Sequence, residues 1–295
     1  MSHLIIGDNA VDPFIFREYI GVKPYPASLN NFPYEIIIAK HFHFILGFAN
    51  DSYNEEGKGT GNFNANWNSD FFGPQNVMAL KRKYPHVKVV ISIGGRDANF
   101  PFFPAAREEW CGNAVDSLKE IIRSYNDCSV EDNILIDGID IFYDYINTNE
   151  NDFSNYVGDV INRLKKEVRI DVVSIAPSHE THKHYKELYL ACTDDINWVN
   201  YQFYMQPIPS KNDFLNLFLN LAKEYDSNKL LVGGSSDPID ADNFNPDEFV
   251  EACNDLHKTK SLRGIFIWNA NDSANNVPPF YLEKKLQGEY KRLTN

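Results

Sequence analysis

The stretch ILIDGIDIFYDY, residues 134–145, opens on a continuous apolar run and carries carboxylates at Asp137, Asp140 and Asp144. Side chains alternate faces along a strand, so Asp140, Phe142 and Asp144 share one side. Two carboxylic acids on one face at a strand end are expensive to bury unless they serve a purpose such as proton transfer. On spacing alone, a pair of structural acids hydrogen-bonded beside a loop fits better. Other polar clusters are less specific. Ser92-Ile-Gly-Gly-Arg96 follows an apolar strand, and its glycines could simply make a tight turn. There is no GxGxxG and no Gly-Lys-Ser/Thr, so neither a phosphate cradle nor a cofactor is expected. His179, His182 and His184 lack the spacing of a metal site and are expected to be solvated in a loop, with no metal bound. His41 and His43 are expected to be structural.

These residues need a frame that brings strand ends together. Short β-branched and aromatic runs alternate with longer amphipathic ones along the whole chain, the pattern of repeated βα units. The runs fall at 16–21, 42–49, 87–95, 134–145, 172–178, 196–204, 229–236 and 264–269. That is about eight, the number a closed (β/α)8 TIM barrel requires. Helical spacing recurs at 104–125, 153–168, 212–225, 247–257 and 280–293. No linker or compositional break divides the chain, so residues 1–295 are expected to form a single α/β domain. Residues 51–72, rich in Asn and Gly, read as a long loop at the face where such barrels bind ligands.

Against this frame, DGIDIFYD resembles the DGxDxDxE signature of the family 18 glycoside hydrolases, the chitinases and their relatives. Asp137, Gly138 and Asp140 match; Phe142 stands where the family has its third Asp, and Asp144 where it has the catalytic Glu. The resemblance implies a substrate-assisted mechanism in which that Glu protonates the leaving oxygen and the sugar's own N-acetyl group attacks. One carboxylate is therefore replaced by Phe142, and the catalytic acid is shortened at Asp144, with Asp140 as the supporting acid. SIGG resembles the family's SxGG motif, which implies that Ser92 and Gly94 line the barrel beside the acids. YQFYMQ, residues 201–206, resembles its QFY motif, which implies that Gln202 and Tyr204 meet the substrate acetamide. Trp268 falls where the family places the Trp under a sugar, although a Trp closing a strand also reads as core. FREYIGVKP, KGTG, VKVVISIGGR, VVSIAPS and WNANDS are similar to a legume seed branch of that family without demonstrated hydrolase activity. That likeness runs from about Phe16 to Ser273. It implies a storage or other non-enzymatic role, with a lectin-like chitooligosaccharide binder and a weak hydrolase using Asp144 as alternatives.

The net charge of −13 and a pI of about 5.0 argue against nucleic acid and anionic membranes as partners. A chitooligosaccharide or related N-acetylglucosamine sugar, weakly held, is the one small-molecule partner expected, and a monomer is the expected state. The amino terminus has no basic region before an apolar run, so a cytoplasmic location is expected. The four cysteines, Cys111, Cys128, Cys192 and Cys253, are scattered and form no CxxC pair. Thiol titration of the denatured, unreduced protein should therefore return all four as free thiols, and a lower count would point to an oxidising compartment.

Overall fold

The computed structural model describes residues 14–37, 39–129 and 134–294, with 289–294 described by backbone alone. The amino-terminal run behind the expected location lies outside these residues. Eight parallel strands close into a barrel in the order β1 (Ile15–Ile20), β2 (His41–Tyr53), β4 (Val87–Gly95), β5 (Gly138–Tyr143), β6 (Val172–Ile175), β7 (Trp198–Tyr201), β8 (Leu230–Ser235) and β9 (Gly264–Trp268). Pairing of β9 back to β1 completes the ring. The expected (β/α)8 barrel is the observed one. No helix among the described residues is long and apolar enough to cross a membrane.

Each strand buries both faces, which is why the runs read as continuous apolar stretches rather than alternating ones. Outward residues such as Phe44, Ile91, Ile141 and Ile175 pack under the helices in the larger core. Inward residues form a second, smaller cluster of Tyr19, Ile45, Phe142, Tyr204, Phe266 and Trp268. The helical patterns correspond to α3 (Arg107–Asn126), α4 (Glu150–Glu167), α6 (Lys211–Glu224), α7 (Pro246–Lys258) and, after the one-turn α8 (Ala270–Ser273), α9 (Tyr281–Thr294). Capping fixes where they start: Asn149, Ser210 and Asn245 accept backbone N–H groups from the first turns of α4, α6 and α7.

Three local readings are corrected. Residues 51–72 are not a loop, because β2 continues to Tyr53 and turns back as β3 (Gly59–Ala65), antiparallel to it, followed by α1 (Ser69–Phe72). The buried Asp51 carboxylate holds this hairpin by accepting from the Gly61 N–H at 2.8 Å and the Trp110 indole at 2.8 Å. The histidine-rich stretch 178–185 is not a loop either, since α5 (His182–Ala191) begins inside it. His182 lies 3.1 Å from Glu224, and His184 Nε2 is 2.8 Å from the Thr148 carbonyl, so both are tied down, while His179 is exposed. The QFY segment leaves the sheet: β7 stops at Tyr201, and Phe203–Met205 form a 3-10 turn. A further helix, α2 (Pro74–Lys83), had no counterpart in the sequence pattern.

His43 is buried in the barrel, and His41 is exposed at the start of β2. All four cysteines are free, with Cys128 alone exposed.

Gly138 shows what the DG pair does. A methyl group there would lie 1.8 Å from the Val172 carbonyl oxygen of the neighbouring strand, so the backbones approach too closely for any side chain. Gly112, inside α3, has no neighbour within 4 Å of the same position. Gly138→Ala should lose at least about 3 kcal/mol of stability or fail to fold, through overpacking. Gly112→Ala should gain roughly 0.5–1 kcal/mol from helix propensity. Urea melts of the two variants test this, and equal effects would remove the steric argument.

Candidate functional site

The polar centre of the barrel lies at mid-height. Asp140 is fully buried and accepts hydrogen bonds from Ser174 at 2.6 Å, Ser92 at 2.7 Å, Tyr19 at 2.9 Å and the Asn200 amide at 3.1 Å. Arg17, also fully buried, donates to Asn200 Oδ1 at 2.8 Å. Burial pushes the Asp140 carboxyl up, and Arg17 together with the three hydroxyls pulls it back. Asp137 stands apart, at the entrance to β5, where Lys81 at 2.5 Å and the Val89 N–H at 2.7 Å hold it. It is a structural acid.

One residue pair above Asp140, the polar layer ends. Phe142 is fully buried, its ring 5.2 Å from Trp268, 5.3 Å from Phe48 and 5.4 Å from Tyr19. Trp268 is only 4% exposed, so its indole has almost no face open to a ligand. Gly94, at φ +100°, comes so close to β5 that a Cβ would meet the Phe142 carbonyl oxygen at 2.1 Å. This crossing turns the chain so that Arg96 follows directly at the mouth.

Asp144 lies just past the end of β5, with its side chain 5% exposed. Gln202 donates to its Oδ1 at 2.9 Å, and Arg96 Nε stands 3.5 Å from its Oδ2. Burial pushes the Asp144 carboxyl up to about 6, against the pull of Arg96 and the Gln202 amide. Arg96 also makes a bidentate pair with Asp240, at 2.9 and 3.0 Å, and donates to Met205 Sδ at 2.9 Å. Its guanidinium lies 5.5 Å from the Trp268 ring and 5.7 Å from the Tyr204 ring. Burial works against the Arg96 charge, but the Asp240 bonds and its other anionic neighbours outweigh it. Tyr204 is fully buried beneath, and its hydroxyl finds no hydrogen-bond partner among the described residues. A second ion pair edges the mouth: Lys23 bonds Asp272 at 2.6 Å and approaches Asp237 at 3.7 Å.

Above these groups opens a cavity of about 660 Å³, edged by Phe48, Arg96, Asp97, Asp144, Tyr145 and Trp268 among others. The residues singled out in sequence therefore divide. Asp144, Gly94 and Trp268 reach the cavity, whereas Ser92, Asp140, Phe142, Gln202 and Tyr204 lie beneath or behind it. Arg96 and Asp240 went unnoticed in sequence. Arg96 carried one signal, a cation directly after the glycine pair that ends the strand beside the acid-bearing one. Asp240 carried none. No group of three or more His, Cys, Asp or Glu among the described residues could hold a metal.

Residues 23–228, which include the motif-bearing strands β4, β5 and β7, match the glycosyl hydrolases of family 18. The chain belongs to that family. It is 36% identical over 274 residues to "Chitinase 1" of Tulipa saxatilis subsp. bakeri, covering 89% of this chain and 83% of the tulip protein. It is 30% identical over 259 residues to the "RuBisCO-associated protein" of Glycine max, covering 83% of this chain and 88% of that one. Among solved structures, the catalytic domain of a family GH18 chitinase from the fern Peteris ryukyuensis superposes with a TM-score of 0.81 at 30% identity. That match covers 94% of this chain and 99% of the fern domain.

In this family 18 barrel the burial of Asp144 has a measurable consequence. Its folded pKa of about 6 lies above the ordinary 3.8, so the folded state holds the proton more tightly than the unfolded chain. The stability this group lends is complete below pH 3.8 and is lost as pH rises through about 6. The whole difference corresponds to roughly 3 kcal/mol. Asp144→Asn removes the titration, so its stability relative to wild type should improve by about 2–3 kcal/mol between pH 4 and pH 7. Denaturant melts at the two pH values check this, and parallel pH dependence of the two proteins would contradict it.

Proposed function

We propose that this chain is a non-hydrolytic family 18 protein of the narbonin type, a storage or otherwise non-enzymatic plant seed protein. The observation that carries the reading is the state of Asp144. One of its oxygens accepts from the Gln202 amide and the other faces the Arg96 guanidinium. A general acid must hold a proton and present it to the leaving oxygen. Arg96 pulls the Asp144 carboxyl toward its charged form, against the burial that pushes it up. At neutral pH, above a pKa of about 6, Asp144 is mostly ionised.

Two further features support the reading. Asp144 is one methylene shorter than the Glu expected there, which draws the carboxyl back by about 1.5 Å. Misplacement on that scale costs on the order of a hundredfold in rate. Phe142 then removes the carboxylate that would orient an acetamide nucleophile, and its ring is packed among Tyr19, Phe48 and Trp268. The similarity to a legume protein named for its association with RuBisCO, and not for a hydrolase activity, supports the reading. One observation favours a second reading, a weak hydrolase: the Asp144 pKa of about 6 leaves half the molecules protonated in mildly acidic solution. The 36% identity to a tulip chitinase supports the same alternative.

Turnover of a fluorogenic chitotrioside, measured from pH 4 to pH 8, separates the two. Wild type is expected at background throughout, and robust turnover that rises below pH 6 would establish the hydrolase. The combined variant Phe142→Asp, Asp144→Glu and Arg96→Ala should rise above background, because it restores both carboxylates and frees the acid from its cation.

A further inference from the structure

Around the ring of eight barrel strands, β4 and β8 stand third and seventh, so they face each other across the barrel. Arg96 follows β4 directly, and Asp240 lies in the segment that follows β8. Their bidentate pair therefore runs across the mouth rather than along its rim. Asp240 is itself fixed, since Ser235 donates to its Oδ2 at 2.6 Å and the residue is 4% exposed. Asp144, just past the end of the neighbouring β5, and Met205 meet the guanidinium from two more directions. The side chain of Arg96 is only 19% exposed, low for an arginine at the edge of an open cavity.

What lies under the guanidinium is a surface of a recognisable kind. The rings of Trp268 and Tyr204 are 5.5 and 5.7 Å away, with the Gln202 amide and the Asp144 carboxylate beside them. Aromatic faces flanked by amide and carboxylate groups suit a pyranose ring, whose C–H face stacks while its hydroxyls donate. The hydroxyl of Tyr204 is fully buried and has no partner among the described residues. A buried polar group left in that state is costly, and a ligand could satisfy it.

We propose that Arg96 is an internal occupant of this surface, a strap across the barrel mouth that decides whether a neutral oligosaccharide can bind. The proposal rests on the reading of the cavity as a family 18 sugar cleft. With the strap in place, the aromatic floor is covered and the nearby carboxylates are neutralised. A neutral sugar cannot displace the guanidinium, because it would leave two buried carboxylates without their cation. Shortening the arginine removes the cover, and weakening its anchor at Asp240 loosens it.

Thermal melts of the full chain with millimolar chitotetraose test this. Wild type is expected to show no shift. Arg96→Ala should gain at least about two degrees, the scale a saturating ligand produces in a domain of this size. Trp268→Ala added to Arg96→Ala should abolish the gain. Near-UV circular dichroism reports whether each variant is folded; if Arg96→Ala is not, Asp240→Asn takes its place with the same expectation. A shift in wild type equal to that of the opened variant overturns the proposal, as does a folded opened variant that shows none. Chitotrioside turnover by wild type would instead sink the non-hydrolytic reading, whatever the melts show, so the two failures are distinguishable.

Discussion

Asp140 is fully buried at the centre of a closed barrel, where an unpartnered carboxyl would cost several kcal/mol. Its donors are Tyr19 on β1, Ser92 on β4, Ser174 on β6 and Asn200 on β7, with Asp140 itself on β5. Arg17, from β1, reaches the same cluster through Asn200. One acid thus ties together five of the eight strands. Because both Arg17 and Asp140 are removed from water, neither can be lost without leaving the other uncompensated. The polar network therefore selects one register for the barrel as well as stabilising it.

The layers above are built on that foundation and differ from it in kind. Phe142 follows Asp140 on the same inward face, and with Tyr19, Phe48 and Trp268 it makes an apolar lid over the polar centre. Asp144 comes next, already at the end of the strand, and meets Arg96 and Gln202. The strand thus alternates buried acid, aromatic ring and paired acid along one side. In a family that includes chitinases, this chain keeps the acid that organises the barrel. Asp140 is bound into the fold on every side, Phe142 above it is fully buried among aromatic rings, and of the three only Asp144 reaches the cavity.

The barrel was legible because both faces of each strand are buried, so the runs stand out as apolar blocks between amphipathic helices. Eight of the nine strands among the described residues were marked in that way. β3 was not, since Gly59–Ala65 is a Gly- and Asn-rich strand with one large apolar residue, Phe63, and its stability comes from elsewhere. Asn113 and Ser117 of α3 bond its backbone, and Asp51 crosses to Gly61 and Trp110. None of those contacts is visible in a Gly- and Asn-rich string. The start of α5 at His182 was hidden in the same way, because its histidines are held by Thr148 and Glu224 from other segments.

By itself, the sequence determined the order of the eight barrel strands and the spacing of Asp140, Phe142 and Asp144 along β5. Those are properties of local pattern, in which alternation and spacing carry the information. Only the tertiary structure decided what Asp144 meets, because Arg96 lies 48 residues before it and Asp240 lies 144 residues after Arg96. Only the closed ring places β4 opposite β8, so a single arginine can span the mouth and cover an indole that the sequence alone left open to two readings. Charge pairing across a barrel depends on where the strands come together, and no spacing along the chain records that.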